Sequence, residues 1–354
     1  MSKVNSSQYR SLMITGIVVS LFIIWGCTNE TKPSAKEREI ELSAWITDWQ
    51  WKSGIEDYRS ITNGLTSVQV FAAYFNSTDR LFYTEENIEA IPNIMKIAKE
   101  GSLVKVDLTI VNDQFKEDGK AVQKDSDLLT RLMATKESRK AHIDDIVKLA
   151  NEYDFRGVEI DYEKVKDADW ENICAFYEEL YIKLKASGKS LRIVLEPRTP
   201  IEKINLPKGP TYVMMVYNLY GYHSGPGPKA DHPFIGKMAQ KMKQLPGENF
   251  LAFATGGFDW PEEGKITALT ESEAANLKKI SITPVKRDEA SGSVYFEYLD
   301  KENKKHTVWY ADDVTLAQWI ESSKKAGYYK IALWRTGGFE QATLHYLNKK
   351  DSIY

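Results

Sequence analysis

From residue 40 onward the chain alternates between two hydrophobic rhythms. Short runs of β-branched and aromatic residues predict strands at 40–46, 67–75, 103–111, 157–162, 191–196, 212–217, 250–255 and 330–334. Between them, apolar positions three and four residues apart predict helices over 84–100, 136–153, 170–185, 233–244 and 315–326. The order is strand then helix throughout, and strands this uniformly apolar suit a parallel sheet buried on both faces. Eight of them predict closure into an α/β (β/α)8 TIM barrel. An open doubly wound sheet is the competitor, but no glycine-rich phosphate loop follows the first strand, where residues 46–51 read ITDWQW. One segment breaks the rhythm. Residues 280–308 read as extended runs around Ser291-Gly292 and the turn-like 300–305, predicting a small antiparallel insertion, about 265–308, between strands 7 and 8.

The first residues carry a different signal. Lys3 and Arg10 precede LMITGIVVSLFIIWG at 12–26, an apolar run shorter than the ~20 residues of a spanning helix. With Cys27 directly after Ile24, Trp25 and Gly26, the stretch resembles the bacterial lipoprotein box: a small residue before the cleavage point, then a cysteine that receives lipid. The expected organisation is a signal peptide at 1–26, lipid attachment at Cys27, a polar tether at 27–39 and a barrel over 40–354. The expected location is extracytoplasmic, anchored by lipid to the bacterial membrane. Cys174 is then the remaining thiol, placed in a helical pattern that favours packing over nucleophilic chemistry.

Composition narrows the function. The chain has 354 residues, 42% hydrophobic and 27% charged, which excludes a disordered or polytopic membrane protein. A formal net charge of -3 supplies no cationic field for a phosphate backbone, so nucleic acid is not an expected partner, and a monomer is expected. The 9 Trp and 19 Tyr suit both core packing and stacking on sugar faces. The 5 histidines show no HExxH spacing, and no GxSxG element occurs, so zinc-hydrolase and serine-esterase chemistry gain no support.

The sharpest feature is DFRGVEIDYE at 154–163. Side chains alternate along a strand, so Glu159, Asp161 and Glu163 share one side while Val158, Ile160 and Tyr162 take the other. On a solvated antiparallel sheet this pattern is harmless. Inside a barrel, a row of acids is costly unless the groups are paired, hydrogen-bonded, metal-bound or protonated. One strand fans its side chains apart poorly for a single metal ion, so no metal and no cofactor is expected. Glu163 falls at the C-terminal end of its strand, where barrel active sites open.

These residues resemble the glycoside hydrolase family 18 signature DxxDxDxE, with Arg156, Glu159, Asp161 and Glu163 in the four marked places; the last two match and the first two depart. The resemblance implies that Glu163 is the general acid and that Asp161 orients the substrate's N-acetyl group, with Glu159 sharing a proton in the row. The family needs no enzyme nucleophile, because the acetamide oxygen of the sugar attacks the anomeric carbon itself. YVMMVYNLYGYHSGPGP at 212–228 resembles the family's MxYD element, with Met215, Tyr217 and Asn218 in the marked places, which implies a Tyr217 hydroxyl on the acetamide carbonyl. KIALWRTGGFE at 330–340 resembles the last strand, implying that Trp334 forms the floor under the sugar. HTVWYADD at 306–313 resembles a stretch of spore-germination members and makes Trp309, Tyr310 and Asp312 further cleft candidates. Trp45, Trp49 and Trp51 are candidates for subsites or for core. The expected activity is retaining cleavage of β-linked N-acetylglucosamine in chitin, peptidoglycan or an N-glycan core. The rival is a barrel that binds such glycans without cleaving them, for which Arg156 and Glu159 speak.

Overall fold

The computed structural model describes residues 38–100 and 104–348. Cys27 and the segments assigned to signal and tether up to residue 37 lie outside the described residues. Eight strands form the barrel: Glu41–Thr47, Ser67–Phe75, Lys105–Phe115, Gly157–Asp161, Ser190–Leu195, Thr211–Met215, Phe250–Ala254 and Lys330–Trp334. Each is parallel to its neighbours in chain order, and the eighth closes on the first, with Leu42 beside Ile331. The barrel anticipated from the eight apolar runs is therefore the fold.

Helices such as Trp51–Ile61, Glu85–Glu100, Lys136–Glu152, Trp170–Ala186, His232–Met242 and Asp313–Lys325 cover the outside. The connection between the fifth and sixth barrel strands departs from the repeat, carrying only the 3-10 turn Ile201–Lys203. Outward positions such as Val158, Ile160, Ile193 and Leu251 pack under the helices. Inward ones such as Phe71, Val111, Val194, Val213, Met215 and Ala332 fill the upper barrel interior. Deleting a large side chain from either layer leaves a cavity, at roughly 2–5 kcal/mol.

The antiparallel sheet is present and larger than the sequence pattern showed. It has five strands: Gly256–Pro261, Thr267–Leu269, Lys286–Arg287, Val294–Leu299 and Lys305–Ala311, with the helix Glu271–Lys278 among them. It begins at Gly256, immediately after the seventh barrel strand. Gly256 has φ 65°, and a Cβ there would lie 2.3 Å from Leu269 O; a Cβ on Gly257 would lie 1.8 Å from Trp309 O. This pair of glycines lets the chain leave the barrel and pair at once with 306–311.

Two of the cleft candidates belong to this sheet's own architecture, which corrects the sequence expectation. Tyr310 is 2% exposed in the core formed with Val294, Phe296 and Val308. Asp312 caps the helix Asp313–Lys325, accepting from Thr315 N at 3.0 Å, and pairs with both terminal nitrogens of Arg287, at 2.9 and 2.6 Å. It ties the insertion to a barrel helix and is unavailable to a ligand. Asp312→Ala is expected to lower unfolding free energy by about 1–2 kcal/mol, the size of a lost cap plus a paired charge, read by denaturant titration. A change below about 0.3 kcal/mol would contradict the capping role.

Candidate active site

The carboxylate row begins deep in the barrel. Glu159 on the fourth strand is fully buried, where Trp45 Nε1 and Thr109 Oγ1 both donate to its Oε1. Arg192 on the fifth strand places Nε 2.9 Å from its Oε2. The guanidinium also donates to Ser43 Oγ at 3.1 Å and lies 4.5 Å from the Phe250 ring centre. Fully buried, with Oε1 hydrogen-bonded and Oε2 against the Arg192 guanidinium, Glu159 is an internal counter-ion beneath the cleft and not a substrate contact. Nearby Asp107 is pushed up to about 6 by burial, with Arg192 opposing and Glu159 adding to the rise. Arg156, in the first signature place, is exposed and joins the row only through its backbone, donating to Val106 O and accepting from Ser190 N.

Asp161 is one pleat higher and nearly buried. Burial lifts its carboxyl well above the ordinary carboxylate range, and the charges of Glu163 and Glu159 add to that. Its Oδ1 is buried and receives no hydrogen bond from any described residue.

Glu163 stands just beyond the strand end, fixed through its main chain. Buried Asn112 on the third strand accepts from Glu163 N at 2.9 Å and donates to Glu163 O at 3.0 Å. The next residue, Lys164, takes φ 54°, and its amide donates to Glu196 Oε2 at 2.8 Å. Burial raises the Glu163 carboxyl, Lys124 pulls it back by charge and hydrogen bond, and Glu196 adds to the rise. Lys124 Nζ donates to Glu163 Oε2 from the segment after the third strand.

Lys124 favours the ionised carboxylate. Lys124→Met is therefore expected to raise the Glu163 titration, followed by the pH dependence of its carboxyl NMR signal. An unmoved or lowered titration would show that Lys124 does not set it.

At the end of the sixth strand Met215 is buried in the barrel interior, which corrects its reading as a ligand contact. Tyr217 is 8% exposed, and its hydroxyl makes no hydrogen bond to a described residue. Burial raises its titration, as do the charges of Asp161 and Glu163, which places all three groups within electrostatic reach. Asn218 is exposed at φ 63°, a conformation that asparagine tolerates. Trp334 ends the eighth strand, its ring 4.8 Å from Phe71 and 5.8 Å from Trp45.

A cavity of about 610 Å³ opens here, lined by Trp334, Asn218, Lys124, Lys229, Arg335 and Tyr222 among others. Lys124 is the link between this cavity and the Glu163 carboxyl. Trp49 and Tyr222 are 56% and 62% exposed. Trp45 is buried under the floor, and Trp51 is half-buried against the helix-side core. Trp309 shares a sheet face with Phe258, which does line the cavity, but it stacks on Tyr295 with ring centres 4.4 Å apart and stays outside the lining. Here too the structure departs from the cleft assignment.

The family model described as Glycosyl hydrolases family 18 matches residues 41–338. The chain belongs to glycosyl hydrolase family 18. Its relatives include the "Uncharacterized glycosylase YvbX" of Bacillus subtilis, 26% identical over 59% of this chain and 64% of that protein. The chain thus spans less than two thirds of that relative's length. The "Cortical fragment-lytic enzyme" of Bacillus anthracis is 24% identical over 86% of this chain and 73% of the relative. Among solved structures, the Bacillus cereus spore cortex-lytic enzyme SleL superposes with a TM-score of 0.74 at 21% identity, covering 89% of this chain and 75% of that one. A Chromobacterium violaceum chitinase also gives 0.74, at 16% identity over 88% and 99%. At such identities the structural likeness establishes the barrel.

Several positions in and beneath the site of this family 18 barrel escaped the sequence reading. Arg192 was signalled by a charge inside the apolar run SLRIVL, at an inward position. Asn112 lies within the third strand and Lys124, Lys229 and Arg335 in connecting segments, where nothing local distinguishes them from other polar residues.

Proposed function

We propose that the chain hydrolyses β-linked N-acetylglucosamine glycans with retention, using the substrate's acetamide as nucleophile. The observation that carries this is the orphaned Asp161 Oδ1 beside a main-chain-clamped Glu163: a buried acceptor suited to an amide N–H, next to an acid at the open end of the barrel. In this reading Trp334 stacks on the sugar and Tyr217 donates its hydroxyl to the acetamide carbonyl, steering that oxygen onto the anomeric carbon. Asp161 accepts the acetamide N–H as positive charge develops. Glu163 gives its proton to the leaving oxygen, and its carboxylate later takes one from the attacking water. Burial raises both neighbouring carboxyls, which favours keeping a proton where an acid is needed.

The test is incubation of the purified protein with N-acetylglucosamine oligomers, peptidoglycan and a high-mannose glycopeptide, with products weighed by mass spectrometry and the released anomer read by NMR. New β-configured reducing ends are expected; no product from any of the three, or the α anomer, would overturn the reading. A non-cleaving carbohydrate-binding barrel is the second reading. Lys124 is the observation in its favour, since it stabilises the ionised form of the acid.

The lipid anchor at Cys27 and the resulting extracytoplasmic location are part of the same proposal. They rest on the apolar run and cysteine at the N-terminus. Cys27→Ser is expected to abolish incorporation of labelled fatty acid in the producing cell, and undiminished labelling would refute the anchor.

A further inference from the structure

The cavity beside Trp334 holds two cations with no carboxylate in ion-pair contact among the described residues. Lys229 ends the loop after the sixth strand, with Nζ donating to Thr255 O at 2.8 Å and lying 5.3 Å from the Phe258 ring centre. Arg335 directly follows Trp334, donates to Gln50 Oε1 and lies 5.4 Å from the Trp49 ring centre. Among the described residues neither has a carboxylate oxygen within 4.0 Å. The two glutamates on the same wall are engaged elsewhere. Glu271 accepts from Thr343 Oγ1 and Glu340 N, and Glu273 is held by the amide and hydroxyl of Thr270. Lys124, in contrast, is matched by Glu163.

An ammonium offers three donors and a guanidinium five, so most of this donor capacity stays unspent in a lined cavity. That is costly. Burial pushes Lys229 down to about 7, with the neighbouring Arg335 acting in the same direction; burial also lowers Arg335, against the longer-range charge of Glu273. The chain as a whole is acidic, so these two charges do not belong to a generally basic surface.

We propose that Lys229 and Arg335 form an anion subsite that takes a carboxylate borne by the glycan beside the ring stacked on Trp334, as a muramoyl residue carries on its lactyl ether or attached peptide. This inference rests on the glycosidase reading above for the bond that is cleaved. It separates a polyanionic wall polymer from neutral chitin, which the barrel and catalytic acids alone do not.

The test uses the full chain carrying Glu163→Gln, so that binding is read by calorimetry without turnover. Three ligands are compared: a peptide-free N-acetylglucosaminyl-muramoyl tetrasaccharide, its lactyl methyl ester, and the same glycan amide-linked to a peptide ending in a free carboxylate. The free acid is expected to bind about tenfold tighter than the ester, as charge-assisted hydrogen bonds allow. If the peptide form alone outbinds the ester, the subsite stands and takes the peptide carboxylate. Adding Lys229→Gln or Arg335→Gln is expected to bring the preference within about twofold, with thermal unfolding run alongside to verify folding.

Equal binding of acid, ester and peptide forms by the Glu163→Gln chain overturns the subsite, independently of the further variants. So does a preference that survives both substitutions in folded protein. The glycosidase reading fails separately, by absence of cleavage in the chain with Glu163 intact while the preference for a carboxylate persists.

Discussion

Glu163→Gln is expected to lower kcat on N-acetylglucosamine oligomers by about 10²–10⁴, the usual contribution of a positioned general acid, while ligand dissociation constants change only a few-fold. Glutamine keeps the volume of the side chain and an acceptor for Lys124 Nζ, and the Asn112 clamp acts on the main chain, so the position survives the change. What disappears is the proton. The leaving group decides whether the loss is chemical or structural. An aryl glycoside with an acidic phenol departs without protonation, so its first step should fall far less than that of a sugar leaving group. Equal loss on both substrates would make Glu163 a positioning residue, and a loss below tenfold would remove it from the reaction. Removing the Glu163 charge should also lower the Asp161 titration, since that charge is the largest contribution after burial to raising it.

The second large effect lies below the cleft. Arg192→Met is expected to cost about 3–5 kcal/mol of unfolding free energy, because it leaves Glu159 as an uncompensated buried charge. Adding Glu159→Gln should recover most of that loss. A glutamine oxygen still accepts from Trp45 and Thr109, and no charge remains to be stranded. Urea titrations of the two single variants and the double variant at neutral pH decide the matter. If the double variant is as unstable as Arg192→Met, the arginine acts through its packing on Phe250 and Trp45 and not as a counter-ion.

The pH dependence of that loss has a definite sign. Asp107 titrates at about 6 when folded, above its ordinary 3.8, so its contribution favours the folded state at low pH and is lost as pH rises through about 6. Arg192 pulls that folded value down. Without it the folded carboxyl titrates higher still, so the deficit of the variant should widen as pH rises above about 6. A deficit independent of pH would argue that the Asp107 titration is not coupled to Arg192.

Much of the architecture was legible because its physics is local. A strand buried on both faces is a short run of apolar residues whatever surrounds it, and all eight barrel strands show such a run. The carboxylate row was legible for a related reason, since period-two alternation puts Glu159 and Asp161 on one side from backbone geometry alone. The short helix Glu271–Lys278 escaped because its polar sequence carries little helical hydrophobic pattern, and its helix is fixed by the Thr270 capping box and contact with the insertion. Trp309, Tyr310 and Asp312 were misjudged as cleft residues because an aromatic or acid in a strand reads alike whether it faces a ligand, a sheet core or a helix end.

The amino-acid order by itself determined the barrel, the place of Glu163 at the mouth of the fourth strand and the shared side of the acids, since each follows from periodicities within ten residues. Tertiary structure alone decided which charges meet. Glu159 finds Arg192 33 residues further along the chain, Glu163 finds Lys124 39 residues back, and Lys229 and Arg335 come to one cavity from segments after different strands. Interaction between charges depends on distance and dielectric, and chain separation sets neither until the barrel has closed.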